Sequence, residues 1–420
     1  MTNWAGNVAF SAAEVSRPGS VEQLQETVRK ARKIRAVGSR HSFNPIADTT
    51  GTQVSLEQLN RVASLDRAAN TVTVEAGMKY GGLARYLDGH GYALHNLASV
   101  PHLTIAGACA TATHGSGVKN GNLATAVSAM EFVNADGEVV ALSQDRDGDR
   151  FLGAVVGLGA LGVVTSLTFD LQPRFDVTQV VYRNMPMSEL KNNFSAIMSS
   201  GYSVSMFADY RRKNINQVWI KTRLGDGART LDSPDFFGAK LATRNMHTMD
   251  NEPAGPCTEQ MGVPGSWCER LPHFTMEFNP DSGRELQSEY FLPIDYAFEV
   301  ITAVEALHEH ITPHLFISEI RTVAEDQLWM SPCHGRASVA IHMTWRPHWN
   351  DIVRLLPLIE QALAPFNAIP HWGKLFTMSP RQLQSGYKRL TSFRELAGFY
   401  DPKGKFRNDF LERNIFGDGH

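Results

Sequence analysis

The sequence predicts an α+β chain built as two units, and three observations carry that reading. Helix-periodic segments and short β-branched runs alternate through roughly the first 90 residues. From about residue 175 the texture changes: aromatics and Met rise, and strand-like runs are interrupted by two helical patterns. The 420 residues also exceed what one ordinary core holds.

The elements follow in order. Ser20, with Gln23 three residues later, opens a capping box before VEQLQETVRKARK, where Val21, Leu24, Val28 and Ala31 fall at helical spacing. IRAV is a short strand that runs into the turn GSRHSF (38–43). QVSLEQLN and TVTVEAGM alternate like strands, and YGGLARYLDGHG is a short helix closed by Gly91. AVSAMEFVNADGEVVALS is a hairpin turning at Ala135-Asp136-Gly137. DRFLGAVVGLGALGVVTSLTFDLQP reads as helix, glycine corner and strand, ending at Pro173.

In the second unit, QVVYRNMP, NQVWIKTRL, FTMEFN, LQSEYFLP, LFISEIRTV and VAIHMTWRP read as strands. DYAFEVITAVEALHEHI and DIVRLLPLIEQALAPF read as helices, so the expected form is an antiparallel sheet covered by helices. Residues 250–272 are an irregular Pro/Gly stretch. The expected units are 1–175, 176–371 and a tail, 372–420, whose DPKGKF returns to the first unit.

Bulk properties exclude several classes. Net charge is −3 from 40 basic and 43 acidic residues, so no basic excess recruits nucleic acid. The longest apolar run, LGAVVGLGALGVV, falls short of the ~18–20 residues of a membrane span. MTNWAGNVAFSAAE has no basic region followed by an apolar one, and the expected location is the cytoplasm. Cys109, Cys257, Cys268 and Cys333 contain no CxxC pair; a Cys257–Cys268 disulfide is allowed by sequence but disfavoured without a secretion signal.

Gly157-Leu158-Gly159-Ala160-Leu161-Gly162 fits a dinucleotide fingerprint only as a string. A fingerprint needs a strand before it, a helix after it and an acid about 20 residues on; here the order is reversed and no such acid appears. GSRHSF and ATATHGSG are different. Each offers consecutive backbone donors and hydroxyls without a P-loop lysine, which suits a pyrophosphate neutralised by peptide N–H groups.

NWAGN, VGSRHSFN, LASVPHLTIAGACATATHGSG, LGALGVVTSLTF, CTEQMGVPG, ELQSEYFLP, EIRTV, HMTW, PHWGK and DPKGKF occur in this order over nearly the whole chain. In them the sequence resembles the vanillyl-alcohol-oxidase-type, or PCMH-type, FAD flavoproteins, and most of all their alditol and xylitol oxidase branch. The resemblance implies a PCMH-type FAD-binding domain under a substrate-binding cap. It implies FAD attached covalently through His41, with Gly38, Ser39, Arg40 and Ser42 as the pyrophosphate loop. Thr104, Gly107, Thr111, Ala112, Thr113 and His114 become a second FAD strip, Val164 an adenine-end contact, and Ala98 the gate for oxygen. Relatives commonly carry glycine where Arg40 stands; at positive φ, arginine there costs about 1 kcal/mol.

The resemblance also implies substrate chemistry: a terminal alditol hydroxyl, as in xylitol or sorbitol, is oxidised to the aldose and O2 is reduced to H2O2. Lys374 and Arg321 are the electrostatic activators and His342 the proton acceptor. Ser99, Glu319 and Thr344 join them as polyol binders, with Ser99 and Lys374 also toward the flavin. On strands, Glu319 and Arg321 share a face, as do His342 and Thr344. Taken alone, Glu-x-Arg reads as a cross-strand ion pair, Lys374 as solvated and His342 as a core histidine; the order of motifs lifts them above that. His102 and His371 read as structural. The expected partners are a small polyol and O2, with no nucleic acid, metal or membrane, and the expected state is a monomer. The competing reading is an aldonolactone oxidase or dehydrogenase of the same fold.

Overall fold

The computed structural model describes residues 1–225, 230–278, 283 and 285–417. In the first unit, Ser20 accepts a hydrogen bond from the Gln23 amide and starts the helix Val21–Lys30, which buries Leu24 and Val28. Strands Glu14–Ser16, Thr52–Ser55 and Ile34–Val37 form a parallel sheet in that spatial order. An antiparallel sheet follows in the order Val62–Asp66, Thr71–Glu75, Val163–Asp170, Val127–Val133, Val139–Ser143. The Ala135-Asp136-Gly137 hairpin forms, with Gly137 at φ 77°.

The second unit is one large antiparallel sheet. Its centre runs Asp176–Pro186, Asn214–Arg223, Ser203–Ala208, Leu315–Val323, Ser338–Trp345, Leu286–Pro293. Strand alternation divides its side chains. Tyr290, Leu292, Ile320, Ile341 and Met343 pack in one apolar cluster with residues of helices Leu190–Met198, Ala297–Glu305 and Trp349–Leu363. Gln287, Glu289, Glu319, Arg321, His342 and Thr344 lie on the other face and line a cavity shared with the first unit.

The tail docks on the first unit. The Ile34 amide donates to Lys405 O, and Lys405 Nζ donates to Val28 O and Ala135 O. Buried Arg35 collects carbonyls: Gly159 O and Leu158 O at 2.9 Å, Phe406 O at 3.0 Å, and Ile46 O. The glycine corner therefore has a helix before it, Gln144–Val155, and a strand after it, and its carbonyls are held by a guanidinium.

Four expectations are corrected. FTMEF forms no strand: Phe274 makes a single antiparallel bridge to Cys257, and the Phe278 amide then turns back to Thr275 O with the two phenyl rings stacked at 4.6 Å; Asn279 lies outside the described residues. QVSLEQLN leaves the sheet after Ser55, where the Leu59 amide turns back to Leu56 O. The first helix stops at Lys30 because Ala31 adopts extended geometry. The segment 295–311 is not one helix but Ala297–Glu305 and His308–Ile311. All four cysteines are buried free thiols, so Cys257 and Cys268 are not bridged.

Candidate active site

The His41 turn is held from two sides. The Trp4 amide donates to Arg40 O at 2.7 Å, Asn3 Nδ2 to Ser42 O and Asn7 Nδ2 to Phe43 O, both at 2.8 Å. NWAGN is thus a clamp on the turn. On the other side the Phe43 amide donates to Gly373 O at 2.7 Å, and Asn44 Nδ2 to Trp372 O and Lys374 O. The loop carrying Lys374 is thereby fastened to the loop carrying His41.

Backbone geometry here is unusual. Arg40, Ala112 and Leu158 have φ of 61°, 54° and 53°. A Cβ on Gly38 would stand 2.1 Å from Thr104 Oγ1, so only glycine fits. Gly38, Ser39, Arg40, His41 and Ser42 line the cavity together with Thr104, Gly107, Thr111, Thr113, His114 and Val164. Ala112 does not line it; its methyl is buried behind the strip. The cavity volume is about 1120 Å3, above the ~300–1000 Å3 of ordinary small-molecule sites. These walls fit FAD: glycine turns that let backbone donors approach closely, and room for a second, smaller molecule.

His41 is half-buried beside Trp4, ring centroids 4.4 Å apart, and its Nδ1 lies 3.3 Å from His102 Nε2. Burial, then the charges of His102 and Lys374, push the imidazole down to about 3, so it is neutral with a lone pair available. His102, read as structural, is its direct partner.

The cap wall is a cross-strand row. Register sets Glu289 opposite His342 and His342 opposite Glu319. Glu289 Oε1 accepts from Arg321 Nη2 at 2.6 Å and lies 3.1 Å from His114 Nε2; Lys374 Nζ stands 2.9 Å from Oε2. Burial alone would raise this carboxyl, but Lys374, Arg321 and His114 hold it well below the usual carboxylate range. Burial would likewise raise Glu319, and Arg321 and His273 hold it low. Burial would lower Arg321, and the two carboxylates raise it instead. Lys374 is lowered by burial against the pull of Glu289. Its Nζ is 2.7 Å from His342 Nδ1, while His342 Nε2 is 3.0 Å from Thr344 Oγ1. Burial and Lys374 push His342 down to about 4. Arg321 Nη1 reaches Ser99 Oγ at 3.5 Å, and Ala98 is buried on the same wall.

The structure therefore gathers Ser99, Glu319, Arg321, His342, Thr344 and Lys374 on one cavity. Sequence reasoning missed Glu289, the anion that organises them. It lies within ELQSEYFLP, and its only local signal is a charged residue among apolar ones on a central strand. It also missed Lys221 and His273, which back Glu319, and His371, which lines the cavity. His114, assigned to the flavin strip, also belongs to the Glu289 network.

Comparisons with known proteins match both parts of the chain. Residues 12–143 match the family described as FAD binding domain, and residues 280–414 that of D-arabinono-1,4-lactone oxidase. The chain is 46% identical over 414 residues to the alditol oxidase of Streptomyces sp. (strain IKD472 / FERM P-14339), with 98% of both chains covered. It is 26% identical over 456 residues to the L-gulonolactone oxidase of Mus musculus, with 99% of this chain and 98% of the other covered. Among solved structures it resembles the cholesterol oxidase from B.sterolicum at 17% identity and a TM-score of 0.78, over 99% of this chain and 96% of that one, a likeness of fold.

Proposed function

The chain belongs to the alditol oxidase family of FAD-dependent oxidoreductases, and from that premise we propose that it oxidises the terminal C1 hydroxyl of alditols such as xylitol and sorbitol to the aldose. The observation that carries this reading is one cavity lined on one side by the His41 turn and on the other by the Glu289–His342–Glu319 row. A wall made of hydrogen-bonding groups rewards each hydroxyl and leaves polar groups unpaired when one is missing, which favours a polyol.

FAD, when bound, supplies the two-electron acceptor for the hydride leaving C1. His41 is the proposed point of covalent attachment, and its neutral ring supports that role. Gly38, Ser39, Arg40 and Ser42, with Thr104, Gly107, Thr111, Thr113 and Val164, hold the cofactor. Arg321 and Lys374 stabilise negative charge developing on the substrate oxygen. Glu319, Ser99 and Thr344 bind the remaining hydroxyls. Lys374 Nζ takes the hydroxyl proton as it passes its own proton to His342 Nδ1, with Glu289 as the counter-charge. O2 is the proposed acceptor, reaching the cavity past Ala98 and leaving as H2O2. We further propose a cytoplasmic monomer.

Anaerobic mixing with a panel of alditols and aldonolactones tests the assignment. Bleaching of the ~450 nm flavin band by xylitol or sorbitol is expected. Bleaching by a lactone alone sinks the alditol reading in favour of the aldonolactone one.

A further inference from the structure

Lys221 and His273 stand behind Glu319, and the mechanism above uses neither. Lys221, on the strand Asn214–Arg223, is fully buried, and its Nζ meets three acceptors. These are Leu271 O at 2.5 Å, Pro272 O at 3.0 Å and His273 Nδ1 at 3.2 Å. His273 Nε2 in turn lies 2.7 Å from Glu319 Oε1. An ammonium has three donors and a neutral amine two, so only the charged lysine satisfies all three acceptors. A lysine donating to Nδ1 leaves the ring proton on Nε2, where it is donated to Glu319. The His273 amide also donates to Ser99 O at 3.2 Å, so one residue fixes two of the proposed polyol binders.

Resting on the alditol reading of this cavity, we propose that Lys221 and His273 are positioning residues that lock the His273 tautomer and hold Glu319 as an anionic acceptor, its other oxygen turned to the substrate, so that polyol affinity follows the protonation of Lys221. The titratable groups facing Lys221 are His273, Glu319 beyond it, and Cys257. Burial lowers Lys221 to about 7 against the pull of Glu319. Burial pushes the Cys257 thiol up to about 12, which keeps it neutral. Burial and then Lys221 push His273 down to about 4, so the ring is neutral and its tautomer is what can change. When Lys221 loses its proton, two donors face three acceptors, and the lock on Nδ1 is released.

The test follows KM and kcat for xylitol from about pH 6 to about 8. In the wild-type holoenzyme KM is expected to rise about tenfold as Lys221 deprotonates, with kcat little changed, as for loss of one hydrogen bond to a charged group. Lys221→Met is expected to show the high KM at every pH, and Lys221→Arg to restore part of the affinity at the alkaline end. A merely structural lysine would lower the folded fraction without altering the KM profile; a wild-type pH profile in Lys221→Met overturns the proposal. A second measurement needs no turnover and no change at Lys221. In the 15N-histidine spectrum of the holoenzyme, the resonance lost in His273→Gln should show an unprotonated Nδ1 near pH 6. A protonated Nδ1 overturns the proposal. Because this spectrum is readable whether or not any alditol is oxidised, failure of the functional reading and failure of the lock are separately visible.

Discussion

Lys374 Nζ lies 2.7 Å from His342 Nδ1, a pairing made across 32 residues of chain by the docking of one loop on a sheet. An ammonium beside an imidazole in a buried wall is stable only because Glu289 and Glu319 balance it. Lys374→Met removes both the charge facing the substrate oxygen and the partner of His342. Anaerobic stopped-flow should show flavin reduction slowed about 100- to 1000-fold. A near wild-type rate removes Lys374 from the chemistry.

Glu289 is the anion shared by Arg321, Lys374 and His114. Glu289→Gln leaves buried positive charge uncompensated, and the expected loss is about 3–5 kcal/mol of stability. Urea unfolding of the purified variant measures it. A midpoint equal to the wild type would mean that the network is not structural.

His41→Ala should leave FAD extractable by acid, whereas wild-type flavin stays with the precipitated protein. Retention in the variant contradicts attachment at His41. The neutral ring beside His102 predicts in addition that His102→Ala slows attachment without abolishing it, read as flavin-to-protein absorbance over time.

Arg40 occupies a left-handed backbone at φ 61°. Arg40→Gly should therefore stabilise the fold by about 1 kcal/mol, visible as a raised thermal midpoint. A lowered midpoint would show that the Arg40 side chain contributes more than its backbone costs.

The pH dependence of stability has a defined sign. His102, His273 and His342 are each pushed down to about 4 from an ordinary value near 6.5. Unfolding releases them to bind protons between these values, so the unfolded state takes up more protons there. Their stabilisation is complete above about pH 6.5 and is lost as pH falls toward about 4. Urea midpoints taken across that window should decline steadily, and a flat profile contradicts the burial of neutral rings.

What the sequence reveals and what it hides separate along one physical line. The N-cap at Ser20, the Ala135-Asp136-Gly137 hairpin and the reversed order around Gly157–Gly162 are local and form as their neighbours dictate, although Gln23 Oε1 takes the Gly19 amide and so leaves the expected capping box half made. Glu319-x-Arg321 and His342-x-Thr344 are also local, because a strand places i and i+2 on one face. Glu289 acquires its role only when register sets it opposite His342, 53 residues later (342 − 289). Lys221 and His273 meet through an irregular loop with no periodicity to read. FTMEF fails in the opposite way: its alternation suits a strand, but after one bridge at Phe274 the chain turns, the Phe278 amide bonding back to Thr275 O.

The carbonyls gathered by Arg35 carry a consequence for biosynthesis. One comes from Phe406, 371 residues further along the chain, and the neighbouring Lys405 caps the Ile34 amide. The wall that leads into the His41 turn is thus finished by a residue 371 positions further along the chain. Until residues 405 and 406 have been made, the wall is open on the side where they belong, and the carbonyl partners of Arg35 and Ile34 are incomplete.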